Sequence, residues 1–354
     1  MCGGSFSLFF LLMLFANCGA ALSDILRMRV AACLEIIVPS LFSCMVMSNL
    51  LRKSGAADVM GKLIGIPMRR LGWDSRLCGA FLLSQIAGYP VGALILHDMV
   101  RRGELSRSTA RRLSPAFFGG GPSFAVGLAG AQLFGSAGIG WMIWLIGVFA
   151  NACLLWLLCH GKITQIHIKH QFRFRISPDL LTESVADAMC ALWGICGVVL
   201  FFGVVGFLLD FIGFTSFFCR ICMAFGATAP QASNGLSTLL DVTQLPSFCR
   251  CGIAAGAALP CAAGFLSFGG VCVMIQCAAL GGDAVSLPRL FFCRFFVGIL
   301  TAILTATFVP LVFKNDVSSV FLTYQPRVSV LSPIASVLIF LTGFPILLKK
   351  DWTK

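Results

Sequence analysis

Few side chains in this sequence have the means to hold a ligand, and they stand far apart. Asp241 lies beside Thr243 and Gln244, where a carboxylate with a neighbouring hydroxyl and amide could coordinate a cation or a solute hydroxyl; the other reading is an interfacial helix end. For Arg294, about a turn and a half from Arg289, snorkelling to the interface is the default reading and pairing with Asp241 or Asp283 the alternative. Glu35 sits inside an apolar run, within reach of Arg27, Arg29 or an inner helix, while Asp187 and Asp210 stand near the two ends of another. His97 and Asp98 could relay a proton, but Arg101 and Arg102 follow directly and a solvated helix end accounts for the pair. Cys219 and Cys222 with Cys249 and Cys251 supply four thiols, yet no His lies between them and their surroundings are apolar, so no metal is assigned. Neither a Ser-His-Asp order nor a nucleotide fingerprint occurs in context; the chain is read as no enzyme, without cofactor.

A second kind of chemistry is carried by the backbone. Gly88-Tyr89-Pro90-Val91-Gly92 interrupts an apolar segment, because Pro removes a donor and Gly loosens the chain. Gly119-Gly120-Gly121-Pro122 is a second interruption, and Pro260, Gly264, Gly269 and Gly270 punctuate a third segment that also carries Gln276. Peptide groups freed at such breaks are how many transporters hold a solute at mid-membrane.

The elements that must position these groups follow from composition. Of 354 residues 58% are hydrophobic and 11% charged, with mean hydropathy +0.94, too little polar surface to coat a soluble globule. The chain is therefore read as an all-α, polytopic integral membrane protein of about eight to ten membrane segments. The 26 Lys and Arg, against 14 Asp and Glu, sit between apolar blocks and report orientation; they form no single basic face for nucleic acid. The 17 cysteines lie mostly inside apolar runs, as reduced small hydrophobes. Apolar segments fall at 6 to 22, 30 to 51, 77 to 100, 115 to 134, 137 to 159, 185 to 212, 251 to 280, 289 to 313 and 330 to 348, with a mixed stretch from 213 to 250. The first lacks a cationic leader and is taken as a membrane helix.

Basic residues cluster in Arg52, Lys53, Lys62, Arg69, Arg70 and Arg76, in Arg101, Arg102, Arg107, Arg111 and Arg112, and in Lys162, Lys169, Arg173 and Arg175. The positive-inside rule puts all three clusters in the cytoplasm, with the C-terminal Lys349, Lys350 and Lys354. Segment 77 to 100 then has cytoplasmic charge on both sides, which predicts a re-entrant helical hairpin turning at Tyr89. Segment 251 to 280 is long and broken enough to be a second one. Setting Gly88–Leu94 over Gly270–Gln276 suggests a two-fold internal repeat: an N-terminal helix and connector over 1 to 29, one half over 30 to 159, a basic loop over 160 to 184, a second half over 185 to 313, and a C-terminal helix and tail over 314 to 354.

Val38-Pro39-Ser40-Leu41-Phe42, Gly88-Tyr89-Pro90-Val91-Gly92-Ala93, Gly121-Pro122, Asp241-Val242-Thr243, Phe268-Gly269-Gly270 with Gln276, and Arg294 together resemble the sporulation integral membrane protein YlbJ family, itself similar to nucleoside-recognition or Gate membrane domains. The resemblance covers about residues 30 to 312. It implies a multi-pass protein of the bacterial inner membrane that matters for spore formation, contacts lipid, and recognises or transports a nucleoside-like or other small metabolite; the alternative is a non-transporting scaffold for other sporulation membrane proteins. It also implies a solute site drawn from Gly88, Tyr89, Pro90, Gly92, Gly121, Pro122, Asp241, Thr243, Gly269, Gly270, Gln276 and Arg294. Several family positions differ here: Leu94 stands for Lys, Phe118 and Gly120 for Asn and Ser, Cys272 and Met274 for Ser and His, and Asp241 for Glu. The implied ligand is then less polar, or the cavity mainly structural.

Overall fold

The computed structural model describes residues 18–55, 61, 74–159 and 177–312, and every element among them is helical. The expected first segment up to residue 17, Lys62, Arg69 and Arg70, the basic loop with Lys162, Lys169, Arg173 and Arg175, and the C-terminal span with its lysines lie outside the described residues.

Helix α1 (Gly19–Ala32) runs through a π-helical turn (Cys33–Ile37) into α2 (Val38–Lys53). Pro39 accounts for the turn: it has no N–H to give to the carbonyl four residues back and its ring would strike that carbonyl, and a widened turn relieves both. The expected gap between segments 6 to 22 and 30 to 51 is absent. The charges that read as a connector are accommodated on a continuous rod, Asp24 and Arg27 facing outward as an i,i+3 pair at 3.9 Å and Arg29 turned inward.

Asp74 caps α3 (Ser75–Ala87) by accepting the Arg76 N–H at 2.8 Å, and α4 (Val91–Arg101) follows the break at Gly88-Tyr89-Pro90. The two helices fold back on each other: Ser84 packs against Gly92, and Arg76 at the start of α3 reaches Glu104, just beyond α4, at 3.8 Å. Then come α5 (Arg107–Leu113), an irregular run to Gly121, a π-helix (Ser123–Leu133), α6 (Ala137–Cys159) and α7 (Pro178–Phe211). Ser177 and Pro178 start α7 two turns earlier than the apolar run, by side-chain capping and a preset φ. The mixed stretch folds into α8 (Phe214–Ala224), α9 (Ala229–Leu240) and α10 (Leu245–Cys249), and the chain finishes with α11 (Ala255–Phe268), α12 (Gly270–Gly281) and α13 (Leu287–Val312).

Ion pairs gather one end of the molecule. Arg52 meets Asp98, Lys53 meets Asp187 at 2.9 Å and Glu183 at 3.1 Å, and Arg107 meets Asp283 at 3.1 Å. This charged end therefore holds the end of α2, both ends of the α3–α4 hairpin, the start of α7 and the α12–α13 connection.

A second hairpin is built from the opposite end. Gln231 donates to the Gly252 carbonyl at 3.3 Å, Gly235 faces the Phe248 ring, and the chain reverses at Asp241. Helix α11 lies alongside it, with Phe265 on Phe248 at 4.8 Å between ring centres, and α12 continues toward the charged end, where His97 Nδ1 sits 3.2 Å from the Gly281 carbonyl oxygen. The segment 251 to 280 is thus a broken crossing instead of a hairpin. Gly269 and Gly270, both at positive φ, redirect the chain, and α11 packs on α13 through Gly264 and Gly298, whose bare backbones let the axes approach.

Among the described residues four stretches are long and apolar enough to cross a membrane: Ala137–Cys159, Pro178–Phe211, Gly256–Ala284 and Leu287–Val312. In three of them no more than 33% of the apolar window is buried, and Phe149, Leu157, Phe292 and Phe296 point outward, so these faces meet lipid. This is an all-α integral membrane protein.

Candidate functional site

The breaks meet. At the first hairpin tip Gly88 takes φ 73°, and a Cβ there would stand 2.6 Å from the Gly121 nitrogen, so only glycine allows this approach. Tyr89 donates its N–H to the Gly119 carbonyl at 2.8 Å, and its ring packs on Phe118 at 5.0 Å and Phe124 at 5.5 Å. Pro90, joined to Tyr89 by a cis peptide, precedes α4, and Gly92 lies flat on the Phe117 carbonyl. Pro122 opens the π-helix beyond. From the other side, Gly269 presses on the Phe118 ring, and Gly270 lies against the backbone of Leu240 and Val242 at the second tip. Gly88–Pro90, Gly119–Pro122, Leu240–Val242 and Gly269–Gly270 therefore form one knot of irregular backbone, reached by two hairpins from opposite ends.

Polar clusters flank the knot on two sides. On the first, Asp241 is 1% exposed; its Oδ2 accepts from Arg29 at 3.0 Å and its Oδ1 from the Thr243 N–H at 3.0 Å. The pair lies beside a cleft of about 370 Å³ lined by Met28, Arg29, Asp210, Thr243, Gln244 and Ser247, which is within the size range of small-ligand pockets. On the second, Arg294 is fully buried. It gives Nε–H to the Ser267 carbonyl at 2.9 Å and further donors to the Ser267 hydroxyl at 3.0 Å, the Pro115 carbonyl at 3.3 Å and the Asn151 amide oxygen. Asn151 in turn donates to Gln85 Oε1 at 2.8 Å, Gln85 donates to the Ala116 carbonyl at 3.2 Å, and Thr301 donates to the Ser267 hydroxyl at 3.0 Å. The guanidinium stacks over Phe118 at 5.0 Å.

Both sequence readings of Arg294 are overturned. It does not snorkel, because α13 buries the face that carries it, and it pairs with neither acid: Asp241 holds Arg29, and Asp283 holds Arg107 and Arg111. Glu35 is exposed, and its expected partners Arg27 and Arg29 bind Asp24 and Asp241. Gln276 lies a turn past Cys272 and donates to that thiol at 3.4 Å, away from both clusters' hydrogen bonds. Asp98 and Asp187 are ion-paired at the charged end, and Asp210 is exposed. Among the described residues every cysteine is free and no group of His, Cys, Asp and Glu could hold a metal.

Gln85, Asn151, Ser267 and Thr301 were not singled out from sequence, and Arg29 was named there only as a partner for Glu35. Asn151 carried a signal, as the one amide side chain in a 23-residue apolar helix. Thr301 did too, seven residues after Arg294 on one face of α13. No family model matches the chain, and no curated protein or solved structure matches it either.

Proposed function

We propose that the protein conducts or recognises a small solute across its membrane, in the manner of the nucleoside-recognition, Gate-type proteins that its motifs resemble. The observation that carries this reading is the meeting of two oppositely directed hairpins at one knot of broken backbone. In lipid, irregular backbone is tolerated only where protein or a wet cavity surrounds it, and inverted pairs of broken segments are the common build of secondary transporters. The order of parts supports the same reading: a long helix, a hairpin, a broken segment and a long helix occur once over 19–159 and again, in the opposite sense, over 178–312. The Arg29–Asp241 pair, between α1 and the second tip beside the open cleft, is suited to gate that side.

A role in spore formation, and a bacterial inner membrane as its location, rest on the resemblance alone. The scaffold alternative is less well supported, because Arg107 and Arg111, two of the basic side chains it would offer to partners, are already engaged by Asp283. In proteoliposomes, uptake of at least one of a panel of nucleosides and small metabolites is expected, and Asp241→Asn, in protein that remains monodisperse, abolishes it. No flux across the panel, with normal heat-resistant spore counts in an Asp241→Asn strain, would sink the reading.

A further inference from the structure

Arg294 brings a positive charge to the centre of the molecule that no carboxylate among the described residues balances. A guanidinium stays protonated in proteins, and a lone charge at membrane depth costs several kcal/mol unless something neutralises it. Among the described residues the acids are committed elsewhere or lie at the surface: Asp241 to Arg29, Asp98 to Arg52, Glu183 and Asp187 to Lys53, Glu104 to Arg76, and Asp283 to Arg107. The groups that meet Arg294 are all neutral, namely the Ser267 and Pro115 carbonyls, the Ser267 hydroxyl and the Asn151 amide. They satisfy its hydrogen bonds and leave its charge.

Next to the guanidinium is a hollow of about 20 Å³, bordered by Gln85, Asn151, Thr301, Gly119 and Gly120. That is room for one body the size of a water molecule. Gly119 and Gly120 line the same space, and their backbone N–H groups have no acceptor among the described residues. Consecutive unpaired amides form an anion-binding concavity, and buried N–H groups without a partner are rare in native structures.

We propose that this hollow holds one monatomic monovalent anion, of chloride size, as the counter-ion of Arg294. The volume excludes a phosphate or a carboxylate metabolite, and the charge to be balanced is one. A water molecule would fill the space but leave the charge standing. The central knot is then neutral only when the anion is present, whether or not the protein conducts a solute.

The test uses the purified full chain in detergent, with thermal unfolding followed at constant ionic strength while gluconate is replaced by chloride. Gluconate is too large for the hollow. A saturable rise in Tm with chloride, lost in Arg294→Gln, is the expected result. No rise, or an equal rise in Arg294→Gln, overturns the proposal. Should Arg294→Gln fail to fold, wild-type crystals grown in bromide decide the matter: an anomalous peak beside Arg294 supports the site, and density without one refutes it. These readouts measure binding alone, so they can succeed while every uptake assay is negative, and the reverse.

Discussion

Asp241 shows why a buried charge in this molecule comes with a partner. Its carboxylate has left water almost completely, and the Arg29 guanidinium with the Thr243 N–H takes the place of hydration. Removing one member of such a pair leaves the other stranded, whereas removing both leaves an apolar contact. Asp241→Leu alone and Arg29→Met alone should therefore each destabilise the protein by about 3 kcal/mol. The double variant should recover most of that loss in a thermal or denaturant cycle; simple additivity of the two singles would show that the pair is uncoupled. Arg294 follows a different rule, since neutral oxygens surround it and Phe118 covers one face.

The elements owe their approach to glycines at a few positions. At Gly88 the backbone is left-handed and the Gly121 backbone occupies the space where a side chain would begin. Gly88→Ala should cost at least about 1 to 3 kcal/mol from the strained φ, with further loss as the tip is pushed from the knot. Gly206→Ala in α7 is the control, because nothing lies within 4 Å of the added methyl. Comparing their Tm values with wild type checks both; equal values would mean the first tip is not packed on Gly121. The same reasoning explains why α11 and α13 lie so close, with Gly264 facing Gly298.

At the scale of the whole molecule, the ion pairs require a definite sidedness. In a cysteine-free background, Ser106→Cys and Thr182→Cys should react with an impermeant thiol reagent from one face of the membrane and Ala137→Cys from the other. Ser106 caps α5 and Thr182 lies near the start of α7, at the charged end held together by Arg52, Lys53 and their acids, while Ala137 begins α6 at the opposite end. Labelling of Ser106→Cys and Thr182→Cys from different faces would overturn the α3–α4 hairpin as a segment that enters and leaves on one side.

Membrane residence and helical class were legible in the sequence, because a chain this apolar has no other way to satisfy its peptide groups in lipid. The positions of the breaks at Gly88–Pro90, Gly119–Pro122 and Gly269–Gly270 were legible too, since Gly and Pro act on the backbone locally. Tertiary structure alone decided which breaks meet, why 229–252 turns back while 251–280 passes through, and which partners the buried charges take. Arg29 and Asp241 are 212 residues apart, and Arg294 and Asn151 are 143 apart. Hydropathy and local spacing describe only neighbours along the chain, so contacts made across such distances exist only once the helices have packed.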